Sequence, residues 1–146
     1  MDEIHSLIPH RKPFLFVDEI VEITDSGAIA RLKVSPESSF FEGHYPGNPI
    51  MPGVLLCESV FQAGALYLSK SLGADALDAS KVNPVLTRIR DARFKRMVLP
   101  GDVIEVSVTA EDSVGKFHNL RGEIRKDGKV AMTTYFALAM VPKEED

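Results

Sequence analysis

Residues 40–72 read FFEGHYPGNPIMPGVLLCESVFQAGALYLSKSL, a loop rich in proline and glycine followed by a long apolar run. From Val54 to Leu72 only Glu58 and Lys70 are charged, and apolar residues fall on every side of a helical projection. A helix that is hydrophobic all round is typical of a buried helix. Proline and glycine precede the run and Gly73 follows it, which are the usual start and stop signals.

Strand patterns surround this helix. Residues 103–110 alternate strictly between apolar and polar, as a half-buried antiparallel strand does. Asp127-Gly128 predicts a type I′ turn between two further strands. The predicted strands are 14–23, 27–34, 103–110, 121–126 and 129–141, with a further segment at 85–99 that ends before Pro100-Gly101. Residues 73–83 are predicted to form a mixed loop or short helix.

Five or six strands and one buried helix predict an α+β fold, an antiparallel sheet curled about that helix. At 146 residues and 45% hydrophobic content, the chain is expected to form a single domain, residues 1–146. The net charge of -4 argues against nucleic-acid binding. One cysteine, Cys57, excludes an intramolecular disulfide, and histidine spacing predicts no metal site. With no apolar run long enough to span a bilayer and no signal-like N-terminus, we expect a cytoplasmic protein without membrane insertion.

His44 and Glu58 are the candidates for proton transfer. Histidine titrates near neutral pH, which suits it to act as a general base. A carboxylate buried in an apolar helix is costly unless it is paired, so Glu58 should be partnered or protonated with a raised pKa. A protonated glutamic acid can act as a general acid. Simpler alternatives remain open: His44 bonds its own loop, and Glu58 shares a wetted stripe with Lys70.

Three neighbours of this pair have candidate roles. Gln62 is one helical turn after Glu58, where its amide could orient the carboxyl or make only a backbone contact. The amide of Gly53 is free at the expected helix N-terminus and suits a developing oxyanion, although the turn alone could require glycine. Cys57 should face away from Glu58 and is interpreted as a small buried hydrophobe.

Four segments resemble the 3-hydroxyacyl-acyl-carrier-protein dehydratases of the FabZ type. In chain order they are IPHRKPFL (8–15), FEGHYPG (41–47), MPGVL (51–55) with Glu58 and Gln62, and ARFKR (92–96) followed by PGD (100–102). The resemblance covers nearly the whole chain. It implies a hotdog fold and a homodimer in which the two sheets join. In that family dimers often assemble further into hexamers, trimers of dimers.

The resemblance also implies a reaction. His44 would take the C2 proton of a 3-hydroxyacyl thioester, and Glu58 of the partner chain would protonate the departing hydroxyl to leave a trans-2-enoyl thioester. The amide of Gly53 would receive the thioester oxygen, and the carbonyl of Ile50 would orient the histidine ring. Acyl carrier protein would deliver the substrate on its phosphopantetheine, and no other cofactor is implied.

The sequence departs from the family pattern at a few positions. Ser59 and Phe61 stand where alanines are usual, and Met97 replaces a proline. Phe61 is expected to narrow or shorten the acyl tunnel. Two other function classes therefore stay open, a hotdog acyl thioesterase and a catalytically silent acyl-binding protein. A thioesterase has no need of the His44 loop, so the presence of His44 argues against that class.

A cluster of five cations stands out in an otherwise acidic chain. Its members are Arg88, Arg90, Arg93, Lys95 and Arg96, against a single Asp91. An acidic carrier protein and its phosphate would be attracted to such a cluster. A solvated strand face is the alternative explanation.

Overall fold

The computed structural model describes residues 2–72 and 82–143. Within these ranges one six-stranded antiparallel sheet curves around one long helix. The elements are α1 (Asp2–Leu7), β1 (Glu19–Ile23), β2 (Gly27–Lys33), a 3-10 helix (Ser39–Glu42), α2 (Gly53–Ser71), β3 (Val82–Phe94), β4 (Val103–Val114), β5 (Phe117–Lys126) and β6 (Lys129–Pro142). The strand order across the sheet is β1-β2-β4-β5-β6-β3. This is the predicted hotdog arrangement of an α+β fold.

Helix α2 is as buried as its composition predicts, with Val60, Ala63 and Leu66 at most 1% exposed. It begins at Gly53, directly after Pro52. A proline disfavours helical backbone in the residue before it, so the helix does not extend further towards the N-terminus. Its apolar side faces β5, where a Cβ atom on Gly122 would collide with Cγ1 of Val60. Glycine at position 122 therefore allows the helix to pack directly onto the sheet.

The two local strand patterns are confirmed. In β4, Ile104, Val106 and Val108 are at most 3% exposed, and the intervening side chains lie on the outer face. The β5–β6 connection is a two-residue turn in which Asp127 and Gly128 have φ of 52° and 76°. Both values lie in the left-handed region that a type I′ turn requires.

Five predicted boundaries differ from the structure by more than one residue. Two are extensions, since β4 continues beyond residue 110 to Val114 and β5 begins at Phe117 instead of residue 121. The strand expected over 14–23 occupies only Glu19–Ile23, because the backbone of residues 14–16 is bonded to a side chain of α2 instead of a neighbouring strand. Strand β3 starts at Val82 and ends at Phe94, so residues 82–83 are strand where a loop or short helix is predicted, and 95–99 are not strand. Gly73 and the remainder of that predicted loop, 74–81, lie outside the described residues.

Helix α1 was not predicted. Its six residues are too few for a hydrophobic period to be recognised, and it is held by packing, with Ile4 2% exposed against the core. Within the described ranges, no helix is both long enough and apolar enough to cross a membrane.

Strand β3 lies at the edge of the sheet and pairs only with β6 in the described chain. Because cross-strand partners share a face, its pairing separates two sets of side chains. Leu86, Ile89 and Phe94 face inward beside the buried Leu138, Phe136 and Met132, yet they are 39%, 49% and 52% exposed. Arg88, Asp91 and Arg93 face outward. The inner side of β3 is therefore an uncovered apolar surface.

Candidate active site

The loop that carries His44 fixes the imidazole by one main-chain contact. His44 Nδ1 lies 2.9 Å from the carbonyl oxygen of Ile50. A carbonyl can only accept, so Nδ1 carries the proton and Nε2 of a neutral ring is left as the basic nitrogen. The loop turns sharply at Tyr45 and Gly47, whose φ values of 54° and 86° are both left-handed. The geometry thus presents a histidine base with a defined tautomer.

The same loop is anchored to the core on both sides. Before His44, Phe41 is buried and its ring lies 4.5 Å from that of Phe40, which in turn contacts Phe16. After His44, the amide of Met51 donates to the carbonyl of Val98 at 2.7 Å. A loop fixed at both ends holds a base in one place, as proton transfer requires.

Glu58 projects from the first turns of α2 and is positioned by Gln62. Nε2 of Gln62 donates to Oε1 of Glu58 at 3.0 Å. Gln62 is itself fully buried and is held by the backbone of the N-terminal segment, accepting from Phe16 N at 2.7 Å and donating to Phe14 O at 3.0 Å. The amide therefore orients the carboxyl and ties residues 14–16 to the helix.

Burial sets the protonation of Glu58. Desolvation raises the pKa of Glu58, and the hydrogen bond from Gln62 offsets this only in part. Burial disfavours the charged form of a carboxyl group, so the acid form persists to higher pH than for a free glutamic acid. The wetted-stripe alternative is not supported, since Gln62 and Leu66, which lie between Glu58 and Lys70 on the same side of α2, are at most 1% exposed. Glu58 has the properties of a general acid.

Gly53 is the first residue of α2, where main-chain amides have no acceptor within the helix. A Cβ atom at this position would lie 3.1 Å from the ring of Phe94. The absence of a side chain therefore lets the ring of Phe94 pack against the start of the helix. The amide is a suitable donor to an anionic oxygen.

In the described residues of one chain, no hydrogen bond or ion pair joins His44 to Glu58. The base is held by its own loop and the acid by Gln62. Around the helix start several large apolar side chains are exposed, with Tyr45 at 59%, Val54 at 76% and Met97 at 66%. The site of a single chain is therefore open on an apolar surface.

His10 belongs to this site and was missed from the sequence. Its Nε2 lies 3.5 Å from Oε1 of Glu58. The segment that contains it, residues 8–15, is part of the family resemblance. The presence of a histidine in that segment is the sequence feature that could have identified it as a site residue. Nothing local connects position 10 to position 58, because the contact forms only when the N-terminal segment folds over α2.

Two of the three residues that depart from the family pattern lie in the core, whereas Met97 is 66% exposed. Phe61 is 6% exposed, and its ring centroid lies 4.8 Å from that of Phe136 on the sheet. Ser59 is fully buried and donates to the carbonyl of Leu56 at 2.7 Å. The effect of Phe61 on an acyl tunnel stays a prediction. Cys57 is 7% exposed, and burial raises the pKa of its thiol, which makes it a poor nucleophile.

The five cations of the basic cluster are exposed along β3 and the loop after it. Arg90 stacks 4.8 Å from the ring centroid of Tyr135 and lies 3.4 Å from Glu111. Arg93 lies 3.1 Å from Asp91. In the described part of the chain, Arg88, Lys95 and Arg96 make no ion pair, so the cluster keeps a positive outer surface next to the apolar inner side of β3.

A sheet curled around one helix, with a histidine loop before the helix and a carboxyl within it, places a candidate acid–base site on a hotdog fold. The FabA-like domain model matches residues 8–135. A 3-hydroxyacyl-[acyl-carrier-protein] dehydratase FabZ of Acidiphilium cryptum is 41% identical over 93% of this chain and 82% of its own length. The FabZ of Aromatoleum aromaticum is 38% identical over 96% of both chains. The chain belongs to the FabZ family of FabA-like proteins.

Solved structures support the fold. The dehydratase heterocomplex ApeI:P from Xenorhabdus doucetiae superposes with a TM-score of 0.79 over 94% of this chain and 90% of that one, at 18% identity. A hypothetical thioesterase with coenzyme A from Streptococcus pneumoniae has a TM-score of 0.64 over 87% of this chain and 88% of that one, at 17% identity. These similarities establish the hotdog architecture.

Proposed function

We propose that this chain is a hydro-lyase that converts (3R)-3-hydroxyacyl-acyl-carrier-protein into the trans-2-enoyl thioester, in fatty-acid or related acyl-chain biosynthesis. Its FabZ relatives carry the corresponding name. The observation that supports it most is that the chain holds both a histidine base fixed by its loop and a partly buried glutamic acid with a raised pKa. The free cysteine, Cys57, fits a reducing, cytoplasmic location.

The two groups divide the reaction between them. Nε2 of His44 takes the proton from C2, since Nδ1 is held by the carbonyl of Ile50. The C2 electron pair forms the double bond as the C3–O bond breaks, and Glu58 gives its proton to the departing hydroxyl, which leaves as water. The amide of Gly53 stabilises the negative charge on the thioester oxygen. Each proton-transfer group should contribute roughly 10²–10⁴ in rate.

We further propose that the enzyme is a homodimer in which each site takes His44 from one protomer and Glu58 from the other. The two groups do not contact each other in one chain. Strand β3 has a free edge and an uncovered apolar side formed by Leu86, Ile89 and Phe94, which a second copy would bury. Assembly into a trimer of dimers is the corresponding proposal for the whole particle.

Acyl carrier protein is the proposed partner, and it presents the acyl chain on phosphopantetheine. Arg88, Lys95 and Arg96, which form no ion pair with the residues that the structure describes, give the outer side of β3 and the loop after it a positive charge next to the proposed dimer surface. Arg88→Glu and Lys95→Glu should raise KM for the carrier-bound substrate and leave turnover of a small pantetheine thioester unchanged. Lys33→Glu, an exposed cation on β2 that is separated from β3 by three strands, is the control. An equal change for both substrates would contradict docking at this surface.

The central experiment follows enoyl product and free thiol together, using 3-hydroxybutyryl- and longer 3-hydroxyacyl-carrier protein. Enoyl formation without thiol supports the dehydratase, whereas thiol release identifies a thioesterase and neither product identifies a silent acyl-binding protein. His44→Ala and Glu58→Gln should each abolish most activity. Mixing the two variants under subunit exchange should restore part of it, and failure to do so would argue against shared sites.

A further inference from the structure

His10 sits on a part of the chain that is held rigidly. The guanidinium of Arg11 donates to three carbonyls around it, those of Ile8 at 2.9 Å, His10 at 2.7 Å and His5 at 3.0 Å. Ile8 is fully buried. Since Gln62 holds the backbone of residues 14–16, the segment that bears His10 is fixed to α2 from both directions.

The imidazole of His10 is placed asymmetrically. Nε2 faces Oε1 of Glu58 at 3.5 Å, longer than a well-formed hydrogen bond. Nδ1 is buried, and in the described residues it is the one buried side-chain nitrogen or oxygen without a hydrogen-bond partner. A neutral imidazole has one donor and one acceptor nitrogen. Buried orphan N–H groups are rarer than orphan acceptors, so the proton belongs on Nε2.

Burial and a neighbouring positive charge keep His10 neutral. Burial and the Arg11 guanidinium lower the pKa of His10, in that order of importance. Glu58 is faced by His10 and Gln62, and the thiol of the adjacent Cys57 is kept neutral by its raised pKa. Two N–H groups, those of Gln62 and His10, therefore approach the same oxygen, Oε1. The proton of the acid form is left to Oε2.

We propose that His10 is a positioning residue that, together with Gln62, holds Oε1 of Glu58 so that Oε2 delivers the proton to the leaving hydroxyl. This deepens the proposed function and rests on it. When the Oε2–H bond breaks and water departs, Glu58 becomes a carboxylate, and both N–H dipoles stabilise the new charge. The long contact in the free enzyme tightens at that step, since hydrogen bonds to charged groups are the shorter ones.

The test compares His10→Phe, which keeps a ring and removes the donor, with His10→Gln, whose amide replaces Nε2–H. His118→Phe is the control, because His118 is a partly buried histidine that contacts Ser113 far from α2's first turns. Carbon NMR of the Glu58 carboxyl should show its pKa raised further in His10→Phe and restored in His10→Gln. Nitrogen NMR of His10 should show the Nε2–H tautomer.

Activity gives the second measurement. In His10→Phe we expect kcat to fall about tenfold, the low end for a bond to a charged group, with KM changed less. The alkaline limb of the kcat–pH profile should move to higher pH, because Glu58 becomes a weaker acid and keeps its proton to higher pH. A purely structural role would lower kcat or stability without moving that limb. If His10→Phe does not fold, His10→Asn, whose amide is too short to reach Oε1, replaces it.

Two results would overturn the proposal. One is an unchanged or lowered Glu58 pKa in the donor-free variant of an active enzyme, and the other is an Nδ1–H tautomer in the wild type. Both leave the dehydratase assignment intact. Absence of enoyl product from the wild type with every substrate would instead overturn the proposed function, and the catalytic part of this role with it.

Discussion

Gln62→Met removes three hydrogen bonds and changes the side-chain volume little. The fully buried amide bonds Phe16 N, Phe14 O and Glu58 Oε1, at 2.7, 3.0 and 3.0 Å. Methionine leaves the buried amide of Phe16 without an acceptor and the half-buried carbonyl of Phe14 without a donor. Since orphaned groups cost about 1–3 kcal/mol each when fully buried, we expect a loss of roughly 2–4 kcal/mol of unfolding free energy.

Thermal and urea unfolding followed by circular dichroism measure this loss. For a chain of this size, a melting temperature lower by about 4–16 °C corresponds to it. Ser59→Ala is the matched control on the same helix, since Ser59 is equally buried and donates only to Leu56 O, a carbonyl of α2 itself. We expect that control to cost less than about 1 kcal/mol.

The reasoning fails if Gln62→Met costs no more than Ser59→Ala. That result would mean that residues 14–16 rearrange and find other partners without Gln62. A second measurement concerns charge, because the hydrogen bond from Gln62 lowers the pKa of Glu58 against the larger effect of burial. Its removal should raise the Glu58 pKa further and move the alkaline limb of activity upward.

Three further outcomes are expected. Glu58→Gln should stabilise the fold more at about pH 8 than at about pH 4, because the raised pKa makes the folded state bind more protons than the unfolded one and wild-type stability falls as pH rises; melting temperatures at both values test this. Ile89→Lys should convert the proposed dimer into monomer in sedimentation, as it charges the uncovered side of β3. Gly128→Ala should cost about 1–2 kcal/mol in urea unfolding, since Gly128 has a φ of 76°.

The parts of the fold that sequence predicts are those with a local cause. Helix α2 follows from its apolar composition, β4 from its alternation and the β5–β6 hairpin from Asp127-Gly128. Residues 14–16 have the composition of a strand and are not one, because Gln62, 48 and 46 residues away, bonds the carbonyl of Phe14 and the amide of Phe16. Such a contact leaves no periodic signal. The spacing of one helical turn predicts the contact of Gln62 with Glu58, but nothing local predicts its bonds to residues 14 and 16.

The same distinction applies to the site. His44 and Glu58 are conspicuous locally, one in a rigid loop and the other alone in an apolar helix. His10 is not, since it becomes part of the site only through the fold of the N-terminal segment. Their closeness in sequence suggests that His44 and Glu58 contact each other within one chain. In the structure, however, His44 is held by Ile50 and Glu58 by Gln62, and an apolar surface is exposed at β3.

The environment of Glu58 combines two opposing effects, and their order has a functional meaning. Burial raises its pKa and is the larger effect, while the N–H of Gln62 favours the carboxylate. A site with burial alone would hold a proton but give it up poorly, and a site rich in donors would be ionised before substrate arrived. In the proposed reaction, burial keeps the proton on Glu58 until the leaving group needs it, and the donors on one oxygen then stabilise the charge that remains.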